Sequence, residues 1–340
     1  MASVALAFSG SSTRIPDFCC RQNYQGAVPM RTVTSDFSTQ GMSREFSVGR
    51  AATAARRPNF FIAGAAKAGT TSLAKYLAQH PDIFMPSHLH EPAFFAEHTG
   101  CEQLDAYLED FAAAGNEAMV GEKSGAYLYD ADAANRIREF DQDAKIIIVL
   151  RNPVEMAHSL YWHNRREGFE PILSFQEALA VEDDRARDSD FPHSSLGYYA
   201  NFLYRRRATY APQLERYYEA FAAEQIFLLR FDDLKTGPLE QCQSLFRFLG
   251  VDPTFCPDLA RENVGGGMHF QFLQNAYVRN AAFRTTVMNT VPQWLRRFVY
   301  RINRKAEPLP KLTDTERKTY LEMFADDLRQ LEGDYGISLA

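Results

Sequence analysis

"FFIAGAAKAGTTSLAKYLAQHPDIF", Phe60 to Phe84, decides the fold. Its first residues are apolar without alternation, as in a strand buried on both faces. Gly64, Ala65, Ala66, Ala68 and Gly69 follow, and they leave little side-chain bulk around Lys67. A helix is expected from Thr71 to Gln79. A strand entering a helix through small residues turns backbone N–H groups toward an anion, and the helix start adds partial positive charge. Lys67 adds a mobile full charge, and Thr70 and Thr71 add hydroxyls. The nucleoside triphosphate signature places its lysine after the last glycine and before Ser or Thr. Here Lys67 precedes Gly69, so a different anion is expected; the plain alternative is a tight strand-to-helix turn.

Outward from this stretch, strands and helices alternate. "AKIIIVLRNP", Ala144 to Pro153, reads as a central strand, and "EQIFLLRFDDL", Glu224 to Leu234, as another buried strand. Residues 100–115 read as one amphipathic helix with Leu104, Tyr107, Leu108 and Phe111 on one face. Pro153 suits a helix start and Gly250 a helix end. The pattern predicts an α/β, P-loop-like three-layer fold with a mostly parallel central sheet flanked by helices. The expected organisation is a flexible leader over 1–57 and one domain over 58–340.

A second anion site is expected where "IIIVLRNPVEMAHSLYWH", Ile146 to His163, ends its strand. Arg151 offers a bidentate fork for a phosphate, and Ser159 offers a hydroxyl two turns into the next helix. Ligands of open α/β sheets bind at the carboxyl ends of strands, where both this arginine and the Lys67 loop belong. A structural salt bridge for Arg151 and a back-bond within the helix for Ser159 are the plain alternatives.

These residues resemble the sulfotransferase superfamily, which uses 3′-phosphoadenosine 5′-phosphosulfate (PAPS), in the branch of bacterial and heparan-sulfate-type enzymes. The likeness rests on "KAGTTSL" at Lys67–Leu73, Arg151 with Ser159, "HPDIFMPSHLHEPAFF", "GEKSGAYL", "SLGYYANFLYRR" and "LLRFDDLKTGPLEQCQSLFRFLGVD". The resemblance implies that Lys67, Ala68, Gly69, Thr70, Thr71 and Ser72 hold the phosphosulfate, and that Arg151 and Ser159 hold the 3′-phosphate. It implies that Glu91 is the general base and that Lys123 steadies sulfuryl oxygens or positions Glu91. His90 stands where relatives carry lysine, and Gly125 where many carry proline. His90 either assists Glu91 or substitutes for it, with His88 a weaker option as base; His90 and Tyr198 become candidates for the acceptor, and Tyr198, beside Gly197, suits the cofactor or the core equally. The glycines Gly265, Gly266 and Gly267 read as a loop over the nucleotide. No metal site is expected. A small-molecule kinase and a non-catalytic nucleotide- or glycan-binding relative stand as alternatives. The expected acceptor is a hydroxyl or amine on a small molecule or carbohydrate.

Composition fits this reading. Of 340 residues, 46% are hydrophobic and 24% charged, enough for a sizeable core. A net charge of −6 argues against a nucleic-acid partner. Cys19, Cys20, Cys101, Cys242 and Cys256 lack metal spacing and read as reduced thiols, consistent with a cytoplasmic protein. No apolar run reaches the roughly 18 residues a membrane helix needs. The leader has no lysine and carries acids only at Asp17, Asp36 and Glu45, the composition of a disordered tail or an organelle transit peptide. "EDDRARDSDFPH", Glu182 to His193, reads as a loop bordering the acceptor cleft. Arg279–Lys305 is basic, with Trp294, Phe298 and Ile302 at helical spacing. The expectation is a helix packed on its apolar face with a solvated basic face; an anionic acceptor or a membrane surface is the alternative.

Overall fold

The computed structural model describes residues 56–86, 91–96, 103–191, 198–259, 266–268, 270–306 and 310–339. Five parallel strands form the central sheet: β1 (Phe60–Gly64), β2 (Ile83–Phe84), β3 (Met119–Lys123), β4 (Lys145–Leu150) and β5 (Ile226–Arg230). Their order is β2-β3-β1-β4-β5. Every residue of β1 and β3 is buried, as is β4 beyond Lys145. The unbroken apolar runs of β1 and β4 therefore lie under cover on both faces. β5 is an edge strand, not the fully buried one expected, and Phe227 and Leu228 are only half-buried. Its apolar sequence reflects partial cover on both faces: Ile226 and Leu229, on opposite faces, are buried, and half-buried Phe227 meets Phe248 at 5.3 Å between ring centroids.

The flanking helices follow the predicted alternation. They are α1 (Thr70–Leu77), α2 (Leu104–Leu108), α3 (Ala133–Phe140), α4 (Pro153–Glu167), α5 (Phe175–Ala180), α6 (Glu182–Arg187), α7 (Tyr204–Ala208) and α8 (Ala211–Ala220). After β5 come α9 (Phe231–Thr236) and α10 (Pro238–Leu249). The single helix expected over 100–115 is shorter: α2 tightens into a 3₁₀ turn at Glu109–Phe111, yet the four apolar residues are buried as read. Asn152 caps α4 by accepting from the N–H groups of Val154 and Glu155. The segment read as a loop at Glu182 contains α6, and Glu182 is buried. Its carboxylate accepts the N–H groups of Arg205 and Arg206, which explains why an acid tolerates burial there.

The C-terminal part comprises β6 (Gly266–Met268), α11 (Gln271–Arg279), α12 (Ala281–Thr290), α13 (Gln293–Asn303), β7 (Arg304–Ala306), α14 (Asp314–Glu322) and α15 (Ala325–Tyr335). Gly266 and Gly267 belong to β6, paired antiparallel with β7, where a loop was expected; Gly265 lies outside the described residues. The helix expected to pack its apolar face does not. Trp294, Phe298 and Ile302 are 69%, 46% and 56% exposed. Tyr300 and Asn303, from other positions of α13, make its contacts instead. Among the described residues no helix is long and apolar enough to cross a membrane.

Candidate active site

The sheet order places a topological switch between β1 and β4. The connection leaving β1 runs to β2 on one side, and the connection leaving β4 runs to β5 on the other. Loops at such a switch diverge and leave a crevice at the carboxyl ends of the strands. The Lys67 loop follows β1, Arg151 follows β4, and Lys123 ends β3. Three strand ends thus deliver three of the expected cations to one rim.

The Lys67 loop is built for close approach. Gly69, the N-cap of α1, has φ 79°, and a Cβ there would fall 2.9 Å from the Phe231 ring. Only glycine meets both conditions without strain. Gly69 supplies no side-chain cap, and α1 has no acid in its first turn. Neither a side-chain cap nor a first-turn carboxylate thus competes at the start of this helix with an anion in the crevice. Thr70 is buried, and Thr71 and Ser72 are half-buried. Lys67 itself has φ 59°, a left-handed conformation uncommon for a side-chain-bearing residue. Its side chain is half-buried. Burial pulls its pKa below the usual lysine value, Glu91 and Glu167 oppose that pull, and Arg151 and Arg166 reinforce it.

Arg151 joins the two expected anion sites directly. Its Nη1 donates to the Lys67 carbonyl oxygen at 3.0 Å, and its Nη2 to Glu155 Oε2 at 3.1 Å. Its guanidinium stacks over Phe231 at 4.8 Å, the ring that also excludes a side chain at position 69. Glu155 in turn accepts from Arg317 of α14. Arg151 Nε is buried and has no partner among the described residues. The salt bridge foreseen as the plain alternative exists, and it leaves this donor over. Ser159 is buried in α4, and among the described residues its hydroxyl makes no bond back to the preceding turn.

Glu91 and Lys123 meet across the same crevice. Lys123 Nζ donates to Glu91 Oε1 at 2.6 Å, and Gly125 N donates to Oε2 at 3.1 Å. Lys123 is buried, whereas a third of the Glu91 side chain is exposed. Burial pushes the Glu91 pKa up, but Lys123, the Gly125 N–H and Arg207 outweigh it and hold the carboxyl below its usual value. The group is therefore ionised at neutral pH and open on one side.

The Glu91 loop is anchored by residues the motif also contains. Phe94 stacks on Tyr107 at 4.4 Å, and Phe95 meets Phe61 of β1 edge-on at 5.6 Å. Ala93, at φ 51°, donates its N–H to Ser124 Oγ, and Ser124 donates to buried Glu122. Glu122 accepts two further hydroxyls, from Tyr107 and Tyr127, both at 2.6 Å. Burial raises its pKa to about 7, against the pull of these three donors.

The sequence reading missed three contributors. Arg207 is buried, donates to the Gly125 carbonyl at 2.5 Å, and lies 5.7 Å over the Tyr198 ring. It thereby ties Tyr198, which is buried, to the Glu91 site. Glu155 and Phe231 both fix Arg151. Arg207 follows directly after the quoted "SLGYYANFLYRR", and three adjacent arginines give no hint which one turns inward. β6 lies against α4, which brings Gly266 and Gly267 to the helix carrying Ser159. His88, His90 and Gly197 fall outside the described residues.

The sequence profile of the sulfotransferase domain family matches residues 57–299. The chain is 32% identical over 208 residues to the mouse bifunctional heparan sulfate N-deacetylase/N-sulfotransferase 1, covering 58% of this chain and 23% of that protein. It is 28% identical over 211 residues to the mouse bifunctional heparan sulfate N-deacetylase/N-sulfotransferase 3, covering 59% and 23%. The matched part is thus about a quarter of the length of these curated relatives. A crystal structure of a sulfotransferase from Alicyclobacillus acidocaldarius superposes with a TM-score of 0.62 at 30% identity, covering 84% of this chain and 98% of that one.

Proposed function

The chain belongs to the sulfotransferase family, and from that premise we propose that it moves a sulfuryl group from PAPS to an acceptor hydroxyl or amine. One observation carries the reading: the Lys67 loop, Arg151 and the Lys123–Glu91 pair share the rim formed by the ends of β1, β4 and β3. The donor set fits PAPS. Arg151 keeps a buried Nε that no described residue pairs, and the small-residue loop leading into α1 would offer backbone N–H groups to a phosphosulfate.

When bound, PAPS supplies an activated sulfuryl group on a phosphate leaving group. Lys67, Ala68, Gly69, Thr70, Thr71 and Ser72 would hold the phosphosulfate end, and Arg151 with Ser159 the 3′-phosphate end. The Lys67 ammonium would offset charge on the oxygen that loses sulfur, an effect strengthened by its partly desolvated setting. Glu91 would take the proton of the acceptor, since an alcohol or ammonium is a poor nucleophile until deprotonated. Lys123 would keep Glu91 ionised and aimed at the crevice. Tyr198, Gly266 and Gly267 would border the nucleotide or acceptor. The names of the mouse relatives favour an amine on a carbohydrate as the acceptor class. The direct test incubates the purified chain with sulfur-labelled PAPS and a panel of hydroxyl- and amine-bearing glycans and small molecules. Label transfer with release of adenosine 3′,5′-bisphosphate is expected. Nucleotide binding without transfer to any acceptor would leave a binding protein in place of an enzyme.

A further inference from the structure

We propose that α13, with the adjoining Phe270 and Phe272, docks the protein on an anionic lipid bilayer surface. Trp294, Phe298 and Ile302 recur every four residues and so share one side of the helix. All three are exposed, as are Phe270 and Phe272 at 56% and 67%. The helix is held from its other positions. Tyr300 Oη donates to the Glu167 carboxylate at 3.2 Å, and Asn303 Oδ1 accepts the Phe270 N–H at 2.7 Å. That second bond places the two exposed phenylalanines beside the end of the helical stripe. Large aromatic groups presented together in this way are uncommon on surfaces that meet only water.

Charge identifies the occupant. From Arg279 to Lys305 the chain has seven basic and no acidic residues. The net charge of the whole is −6, so the remainder carries −13. The rest of the chain is on balance repelled by an anionic surface, and this segment is attracted to it. An amphipathic helix combining Arg with Trp and Phe lies in a bilayer interface, its apolar side among the acyl chains. A polyanionic glycan would match the arginines but leave the Trp294–Ile302 stripe in water. A second copy of the chain would bring two such basic segments together. Residues 1–55 carry five arginines against three acids, so they do not complement it either.

The test is flotation of the full chain with phosphatidylcholine vesicles, with and without phosphatidylglycerol. Flotation only with phosphatidylglycerol, weakening as salt rises, is expected. Combined Trp294→Ser, Phe298→Ser and Ile302→Ser should lower partitioning at least tenfold, with the thermal unfolding transition retained because the side chains are exposed. Should that variant fail to fold, Arg301→Glu, also exposed, reads the charge component alone and should lower partitioning at least about fivefold. No flotation of the wild type, or equal flotation with uncharged vesicles, overturns the proposal. So does retention on heparin without flotation, which would assign the face to a glycan. Conversion of a dimer to a monomer by the triple variant, with vesicle binding unchanged, would assign it to a second copy.

Discussion

Arg151 Nη1 donates to the carbonyl oxygen of Lys67 at 3.0 Å, across 84 residues of sequence. The bond clamps the loop after β1 to the end of β4, so the two expected anion sites form one rigid unit. Phe231 stiffens the unit from beneath, under the guanidinium and against Gly69. Its chemistry and its mechanics therefore rest on the same few residues.

Glu91→Gln keeps the size of the side chain and removes its charge. Turnover should fall by roughly 10²–10⁴-fold, the range for loss of a general base. The dissociation constant for adenosine 3′,5′-bisphosphate should stay within about threefold, as measured by calorimetry. Unchanged turnover would remove Glu91 from that role.

Glu155 braces Arg151 but also places a negative charge beside the expected 3′-phosphate. The two effects separate by substitution. Glu155→Gln retains an acceptor for Arg151 and should bind adenosine 3′,5′-bisphosphate at least as tightly as the wild type. Glu155→Ala loses the brace and should bind about fivefold more weakly, equivalent to ~1 kcal/mol. An alanine variant that binds more tightly than the glutamine variant would show that the brace has no effect.

Gly69→Ala adds a methyl group at φ 79° and within 2.9 Å of Phe231. A loss of about 1–3 kcal/mol in urea unfolding is expected from the backbone and the clash together. Displacement of Phe231 should also loosen Arg151 and weaken nucleotide binding. Wild-type stability in the variant would mean that the loop relaxes at no cost.

Glu122 gives stability a definite pH dependence. Its folded pKa of about 7 lies above the usual 4.5. Between these values the unfolded glutamate is ionised while the folded one keeps its proton, so the folded state binds more protons. Stability must therefore fall as pH rises from about 4.5 to 7, by on the order of 3 kcal/mol from this group, and level off above. Glu122→Gln removes the titration. Its stability relative to wild type should improve across that window, read by chemical unfolding at several pH values. A pH-independent difference between the two proteins would refute the assignment.

How legible was this in the sequence? β1, β4 and α1 were, because unbroken apolar runs and a small-residue turn are local signals. Lys67 and Arg151 were expected together because each follows a buried strand, whereas Glu91 and Lys123 were singled out only through the family resemblance, since nothing local distinguishes them from surface residues. Contacts set by distant packing were hidden. Arg317 reaches Glu155 across 162 residues, and Arg207 reaches Gly125 across 82. Burial of Glu182 depends on two backbone N–H groups that no local pattern announces. The face of α13 was misread for a related reason. Helical spacing identifies an apolar stripe, but whether a neighbour covers it is a property of the tertiary structure.

The central claim is that the Lys67 loop and Arg151 hold opposite ends of one nucleotide. Calorimetry of the wild type, Lys67→Ala and Arg151→Ala with adenosine 3′,5′-bisphosphate and with adenosine 5′-phosphate tests it most directly. Lys67→Ala should weaken both ligands alike, while Arg151→Ala, which also releases the Lys67 loop, should weaken adenosine 3′,5′-bisphosphate much more than adenosine 5′-phosphate. Equal weakening of both ligands by Arg151→Ala would contradict it.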